Sequence, residues 1–330
     1  MMAFDPTPWA VGGGAQISTE TLRAMAYAAT RGAEGVAGIN DLKVTAQGVP
    51  NNTVNVAPGG GLLLNRYPGG TGQSYTLRNG TGTPVTIAPT GSSGGRTDLV
   101  IARILDPQYE GSAPADPTNF QYDYPTVIQG VPAATKTFKE LGLNYPAIQL
   151  AKVTLPASTG TVTAAMITDL RKVAQPRRER AMIVIFPTGD WRAGTAQQMP
   201  TSGYNTWPMN VSQRPYVTIP EWATRCDIVA TITGVVYVKT ADNLDTVAGT
   251  QTRLGYTLPP SQNSILIQNG ADAGGRFTYA IMGTHAIDAA SRGTDQALDL
   301  QAVRSAGTGT WYGDYQTTIT IDYEFSEGAV

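Results

Sequence analysis

The chain has 330 residues, with 37 glycines and 22 prolines scattered as turn punctuation, and its 23 basic and 25 acidic residues leave a net charge of −2. That length favours two domains, each able to bury a core without metal or disulfide help. A near-neutral balance with no long block of either sign disfavours non-specific nucleic-acid binding, while Cys226 as the only cysteine excludes an internal disulfide and His285 as the only histidine excludes a zinc site of the usual His/Cys kind.

No apolar run approaches the roughly 18 residues of a membrane span, and the first residues lack the basic and apolar regions of a signal peptide, so a soluble protein is expected. Residues 1–17 contain two prolines and Gly12-Gly13-Gly14 and read as an extended arm. Ser18 then caps a predicted helix in which Leu22, Met25, Ala26 and Ala29 form one narrow apolar face, with Gly32 and Gly35 ending it. A stripe of such small residues cannot stabilise an isolated helix, so it must pack on a sheet or on a partner chain.

From Asp41 the pattern changes to period two. Leu42 and Val44, Val54 and Val56, Tyr75 and Leu77, and Val85 and Ile87 mark short antiparallel strands separated by glycine or proline. The glycine clusters at 59–61, 69–72 and 91–95 read as turns. Within residues 97–107 five central residues are aliphatic with Arg103 the only charge among them, and the stretch reads as a central strand buried on both faces. Residues 148–155 repeat its pattern and are taken as its neighbour. Between them, residues 107–132 carry Pro114, Pro117 and Pro125 and tyrosines 109, 122 and 124, a long functional or docked loop. Residues 161–172 read as a short helix. Pro176 and the charged run to Arg180 place a linker at 175–181.

The second half is again β-rich. Cys226, Ile228, Ala230 and Ile232 alternate with polar neighbours, as do Phe277, Tyr279 and Ile281. In the last strand Ile319, Ile321, Tyr323 and Phe325 face one way, and Thr318, Thr320, Asp322 and Glu324 the other. The fold expected is mainly β: a β-rich module over residues 18–174 with one or two short helices, then a jelly-roll-like antiparallel β-sandwich over 182–330.

Several phrases point further. Ala26-Tyr27-Ala28-Ala29-Thr30 with Gly32-Ala33-Glu34-Gly35, Asp41-Leu42-Lys43-Val44, Asn65-Arg66-Tyr67, Gly94-Gly95-Arg96-Thr97-Asp98-Leu99-Val100 and Ile167-Thr168-Asp169-Leu170-Arg171 resemble the minor tail proteins of siphophages that infect actinobacteria. The likeness covers roughly the first 175 residues and extends less specifically to residues 218–225. It implies a virion structural protein at the tail tip or baseplate, made in the host cytoplasm. It further implies a homotrimer bound to other tail proteins by its N-terminal half, with the C-terminal module displayed toward the host. The family has no shared catalytic motif.

No enzyme is expected and no cofactor. His285 sits in Gly283-Thr284-His285-Ala286 without a nucleophile elbow and reads as structural. No phosphate-binding loop exists. A glycoside hydrolase needs only two carboxylates, and Asp190, Glu221, Asp227, Asp242, Asp272, Asp288 and Asp295 offer candidates without a defined pair. Asp242, Asn243 and Asp245 have an oxygen-rich character but not EF-hand spacing. Among the aromatic residues Trp191, Tyr204, Trp207, Tyr216, Trp222, Trp311, Tyr312 and Tyr315, a sugar-stacking platform is sought in the loop phrases around Trp207 and Trp311, with Tyr204 and Tyr312 beside them. Trp222 is expected to be buried. The functional expectation is a tail component with a glycan-binding sandwich; a purely structural tail protein and a cell-wall glycoside hydrolase are the alternatives.

Overall fold

The computed structural model describes residues 17–135, 138–239, 245–268 and 275–328. The expected arm therefore lies, apart from Ile17, outside the described residues, as do Asp242, Asn243 and Asp272. The chain is mainly β and divides after Pro176 into two compact units, the second being Arg177–Gly328.

The first unit begins with helix α1 (Thr19–Thr30). Ser18 Oγ accepts the Thr21 amide, and Arg31 takes the left-handed conformation that closes the last turn. Its buried side chains are Thr21 and Arg23, whereas Leu22 and Met25 are 47% and 41% exposed. The apolar stripe thus does not pack on the chain's own sheets. The reason is Arg23, whose guanidinium reaches Gln73, Asp106, Gln108 and the Tyr109 hydroxyl and lies over the rings of Tyr75 and Tyr109. Charged hydrogen bonds of this kind outweigh what a face of alanines gains by burial.

Ten strands follow: β1 (Gly35–Val36), β2 (Val44–Ala46), β3 (Thr53–Val56), β4 (Gly59–Leu64), β5 (Ser74–Asn79), β6 (Thr83–Thr86), β7 (Arg96–Ile104), β8 (Asp123–Ile128), β9 (Ala147–Leu155) and β10 (Ile167–Asp169). They form three antiparallel sheets with orders β1-β4-β5, β2-β3-β6 and β10-β9-β7-β8. As its aliphatic run requires, β7 is buried on both faces, and it pairs with β9 through Leu99 opposite Lys152 and Arg103 opposite Ala147.

Three readings of this unit are corrected. Residues 123–128 of the expected loop are a strand, and Pro125 is tolerated there because β8 is a sheet edge that needs no second ladder. The expected helix over 161–172 is a single 3-10 turn, Ala164–Met166, followed by β10, because β-branched Ile167 and Thr168 pair with Val153 and Lys152. Finally, Gly59, Gly60 and Gly61 lie within β4 rather than in a turn. A Cβ on Gly59 would sit 2.6 Å from Asp41 Cα, and one on Gly61 2.9 Å from Ile148 Cδ1, so the glycines permit close strand approach.

The second unit contains β11 (Arg178–Ile185), β12 (Gln197–Gln198), β13 (Asn205–Thr206), β14 (Tyr216–Thr218), β15 (Arg225–Val238), β16 (Thr246–Leu254), β17 (Ser261–Gln268), β18 (Gly275–Ala286), β19 (Asp295–Ala306), β20 (Thr310–Gly313) and β21 (Thr318–Ser326). One sheet runs β11-β21-β15-β20-β12, with β18 also on β15; the other runs β13-β19-β16-β17, with β14 on β19. Both contribute to one core that includes Cys226, Ile228, Ala230, Ile232, Leu254, Leu298, Leu300, Ile319, Ile321 and Phe325. The period-two faces are therefore the inner faces of an antiparallel sandwich.

The linker expected at 175–181 is also corrected. Arg178, Glu179, Arg180 and Ala181 belong to β11 and pair with Ser326, Phe325, Glu324 and Tyr323. Charges that look like a solvated run are there because the strand is an edge whose outer residues pair across the ladder: Arg178 with Glu324, Arg180 with Asp322, and, just ahead of the strand, Arg177 with the buried Glu327. Residues 177–330 produced alone should melt cooperatively, and a chain begun at 182 should melt about 5–10 °C lower, since each kcal/mol of lost ladder and ion pairing moves a unit of this size by ~2–4 °C. Superimposable calorimetric melts of the two fragments would show that the charged half of β11 adds nothing.

Candidate functional site

The expected platform is displaced by the core. Trp207 and Trp311 are both 0% exposed, so the exposure sought in their loop phrases is not found. Trp311 lies in β20, its indole N–H donating to the Tyr279 hydroxyl at 2.8 Å and its ring 5.4 Å from that of Tyr237. Trp207 belongs to the same core, with its amide donating to the Leu300 carbonyl. A sandwich of short strands needs bulky side chains to fill the space between its sheets, and these indoles serve that need. Tyr204 is half-buried, its hydroxyl lying where a Cβ on Gly249 would stand. Trp222 is only partly buried, with the Arg177 guanidinium 5.3 Å from its ring centroid.

A different aromatic residue is available. Trp191 sits in a tight loop between β11 and β12: the Asp190 amide donates to Thr195 Oγ1, the Thr195 amide to the Asp190 carbonyl, and the Arg192 amide to Asp190 Oδ1 at 2.9 Å. These bonds hold Trp191 and Arg192 at the mouth of a groove of about 420 Å³, whose other lining residues are Val236, Tyr237, Val238, Lys239, Gly275 and Arg276. The Arg192 guanidinium lies 4.9 Å from the Trp191 ring centroid. Tyr312 of the expected set is half-buried and pairs in register with Val236, which pairs on its other side with Arg276, so the three share one face.

The cations of the groove are not equivalent. Arg276 is committed, donating to the Gly234 carbonyl at 2.6 Å and through both terminal nitrogens to Asp314 at 2.9 and 2.7 Å. Burial of Asp314 by itself raises its pKa, but this bidentate pair and the Gln316 amide hold the carboxyl below its usual range. Lys239 has no ion-pair or hydrogen-bond partner among the described residues, and Arg192 makes no side-chain ion pair among them. Sequence reasoning named Trp191 but not Arg192, Lys239 or Arg276. The available signal was the phrase Gly189-Asp190-Trp191-Arg192-Ala193-Gly194, where turn residues flank a tryptophan and mark it as loop-borne.

The first unit carries a denser polar cluster around Arg23, beside a cavity of about 500 Å³. Tyr75 donates to Asp106 and Tyr67 to Glu110, while Arg103 pairs with Glu110 and lies 3.9 Å from the centroid of Tyr145. Burial and the Glu110 hydrogen bond push the Tyr67 hydroxyl up to about 12. These groups pair with one another around the segment after β7, although the buried Arg103 Nε has no partner among the described residues.

The reactive side chains are internal. His285 is 2% exposed; its Nδ1 faces the Pro259 carbonyl at 3.2 Å and must donate there, so Nε2 accepts from the Thr252 hydroxyl at 2.9 Å. Burial pushes the Cys226 thiol up to about 12. Of the candidate carboxylates, Asp227 is held by Arg225 and Thr284, Asp288 by the Ser291 amide and Asp295 by the Thr218 hydroxyl. Among the described residues no three His, Cys, Asp or Glu side chains are grouped to hold a metal, and no helix is long and apolar enough to cross a membrane.

No family model matches this chain, and neither does any curated protein. Solved structures that match include infectious bursal disease virus, Gx strain, at 12% identity over 88% of this chain and 69% of that one, with a TM-score of 0.24. The VP2 subviral particle of the same virus matches at 12% identity over 90% and 70%, with a TM-score of 0.20. At such scores the architecture rests on the sheets described above rather than on the likeness.

Burial holds His285 neutral, with a pKa lowered from its ordinary value, so the unfolded chain takes up a proton before the folded one does. Stability contributed by the neutral imidazole is complete above about pH 6.5 and is lost as pH falls below that toward the lowered folded value. Chemical-denaturation midpoints of the wild type should therefore drop between pH 7 and 5 more steeply than those of His285→Gln. Parallel pH profiles would exclude this linkage.

Proposed function

We propose that this chain is a virion structural protein of a phage tail tip or baseplate, attached through its N-terminal half and displaying its C-terminal sandwich for recognition of a host-surface glycan at the Trp191 groove. The observation that carries the recognition step is that groove: an indole held at its rim by a tight loop, over an apolar floor, with cations beside it, whereas Trp207 and Trp311 are core and the exposed Tyr216 and Tyr315 do not line it. Loops on a rigid scaffold are where binding residues concentrate. The residues that carry the resemblance to minor tail proteins support the attachment role of the first half.

Self-association is part of the reading. Leu22, Met25 and Tyr27 are exposed along α1, and Ile17 just ahead of it, and a homotrimer, or contact with other tail proteins, would cover them. Several copies held together also let a weak sugar site act through avidity, which raises overall binding by about 10²–10⁴.

Trp191→Ala should abolish most adsorption of assembled particles to host cell walls while leaving the melting curve of the purified chain unchanged. Trp207→Ala and Trp311→Ala are not equivalent tests, since removing a buried tryptophan costs about 3–5 kcal/mol of stability. Wild-type adsorption by folded Trp191→Ala particles would favour a purely structural role. Leu22→Glu with Met25→Glu should shift the sedimentation of the full chain from trimer toward monomer with little change in melting. A chain that sediments as a monomer without these changes would remove the trimer.

A further inference from the structure

We infer that the groove at Trp191 takes an acidic saccharide, a sugar chain bearing carboxylate or phosphate groups, read by Arg192 and Lys239. This rests on the proposal that the groove is a recognition site and goes beyond it by naming the ligand's charge. Two features of the lining need different parts of one ligand. Trp191 and Val238, both partly exposed, present apolar area of the kind that packs against the flat face of a sugar ring. Arg192 and Lys239 bring positive charge with no carboxylate paired to either among the described residues.

Among the described residues the surrounding acids do not supply the missing partner. Asp314 is 0% exposed and is spent on Arg276, Gln316 and Thr317. Asp190 lies beside the groove, but its Oδ1 accepts the backbone amide of Arg192 and stabilises the loop turn. A neutral saccharide in this groove would offer the two cations only hydroxyl acceptors, whereas an anionic group pairs charge with the donors it desolvates and bonds them about twice as strongly. The volume of about 420 Å³ falls in the ~300–1,000 Å³ range of small-molecule sites and admits a short stretch of a chain rather than a folded partner.

The test uses the full chain and matched probes that differ in charge alone: a galacturonate trimer against its methyl ester, and mannose 6-phosphate against mannose. Calorimetric titration should show each acidic member binding at least tenfold more tightly than its neutral counterpart, with the difference shrinking as salt rises from 50 to 500 mM. The two acidic arms distinguish carboxylate from phosphate recognition. Arg192→Ala with Lys239→Ala should remove the acidic preference without changing the melting curve, and Trp191→Ala should weaken both members of a pair. Equal affinity for charged and neutral members, or acidic binding that survives the double variant, overturns the inference while leaving a sugar-binding groove in place. Binding of neither member of both pairs also overturns it. The proposal that the groove contacts the host is judged separately, by the adsorption of Trp191→Ala particles.

Discussion

The second unit depends on how one long strand changes partners at a single residue. β15 runs fourteen residues, Arg225–Val238, and its register with β18 shifts between Ile232 and Val235. Gly234 sits in that bulge with φ +75, where a Cβ would lie 2.7 Å from the Gln316 carbonyl oxygen. Only glycine accepts both conditions at once. Ahead of the bulge β15 pairs with β21, and beyond it with β20. Arg276 locks the change by donating to the Gly234 carbonyl and to Asp314, which also accepts from Thr317. Stripping Arg276 from this site would leave a fully buried carboxylate uncompensated, the costly half of a buried ion pair. Because Val236, Val238 and Arg276 line the groove, the device that turns the sheet also builds the groove's floor.

Ion pairs organise the first unit in a comparable way. Glu34 pairs with Arg66, Arg96 with the fully buried Asp98, and Asp169 with the fully buried Arg171, whose guanidinium also bonds the carbonyls of Ile39 and Asp41. Burial raises the Glu34 carboxyl, and Arg66 works against that rise. Arg96 also bonds the Ala88 carbonyl and Asp98 accepts the Gly130 amide, so these pairs tie strand ends to the loops beside them.

The aromatic residues of the second unit divide by position on the sandwich rather than by type. Tyr237, Phe277, Tyr279 and Trp311 form one continuous set of ring contacts inside. Trp191 is carried by a hydrogen-bonded loop with the Arg192 guanidinium over its ring, and alone of the tryptophans there it lines the groove. A binding platform needs an exposed face and a rigid support, and the loop from Asp190 to Thr195 provides the support through its own backbone.

Much of the fold was legible because local chemistry decided it. Period-two runs such as Cys226 to Ile232 specify which side of a strand is apolar, Ser18 specifies a helix start, and the run Leu99-Val100-Ile101-Ala102 in β7 specifies a strand covered on both faces. None of these needs a partner to be identified. What the sequence did not determine were matters of long-range pairing. The charged residues 178–180 became sheet only because β21 lies alongside with opposite charges, and α1 turned its polar side inward only because Gln73, Asp106 and Gln108 converge on Arg23. Trp207 and Trp311 have loop-like neighbours in the chain, yet they fill the space between two sheets whose other members lie dozens of residues away. Exposure is a property of what packs above a residue, and that is settled by tertiary structure alone.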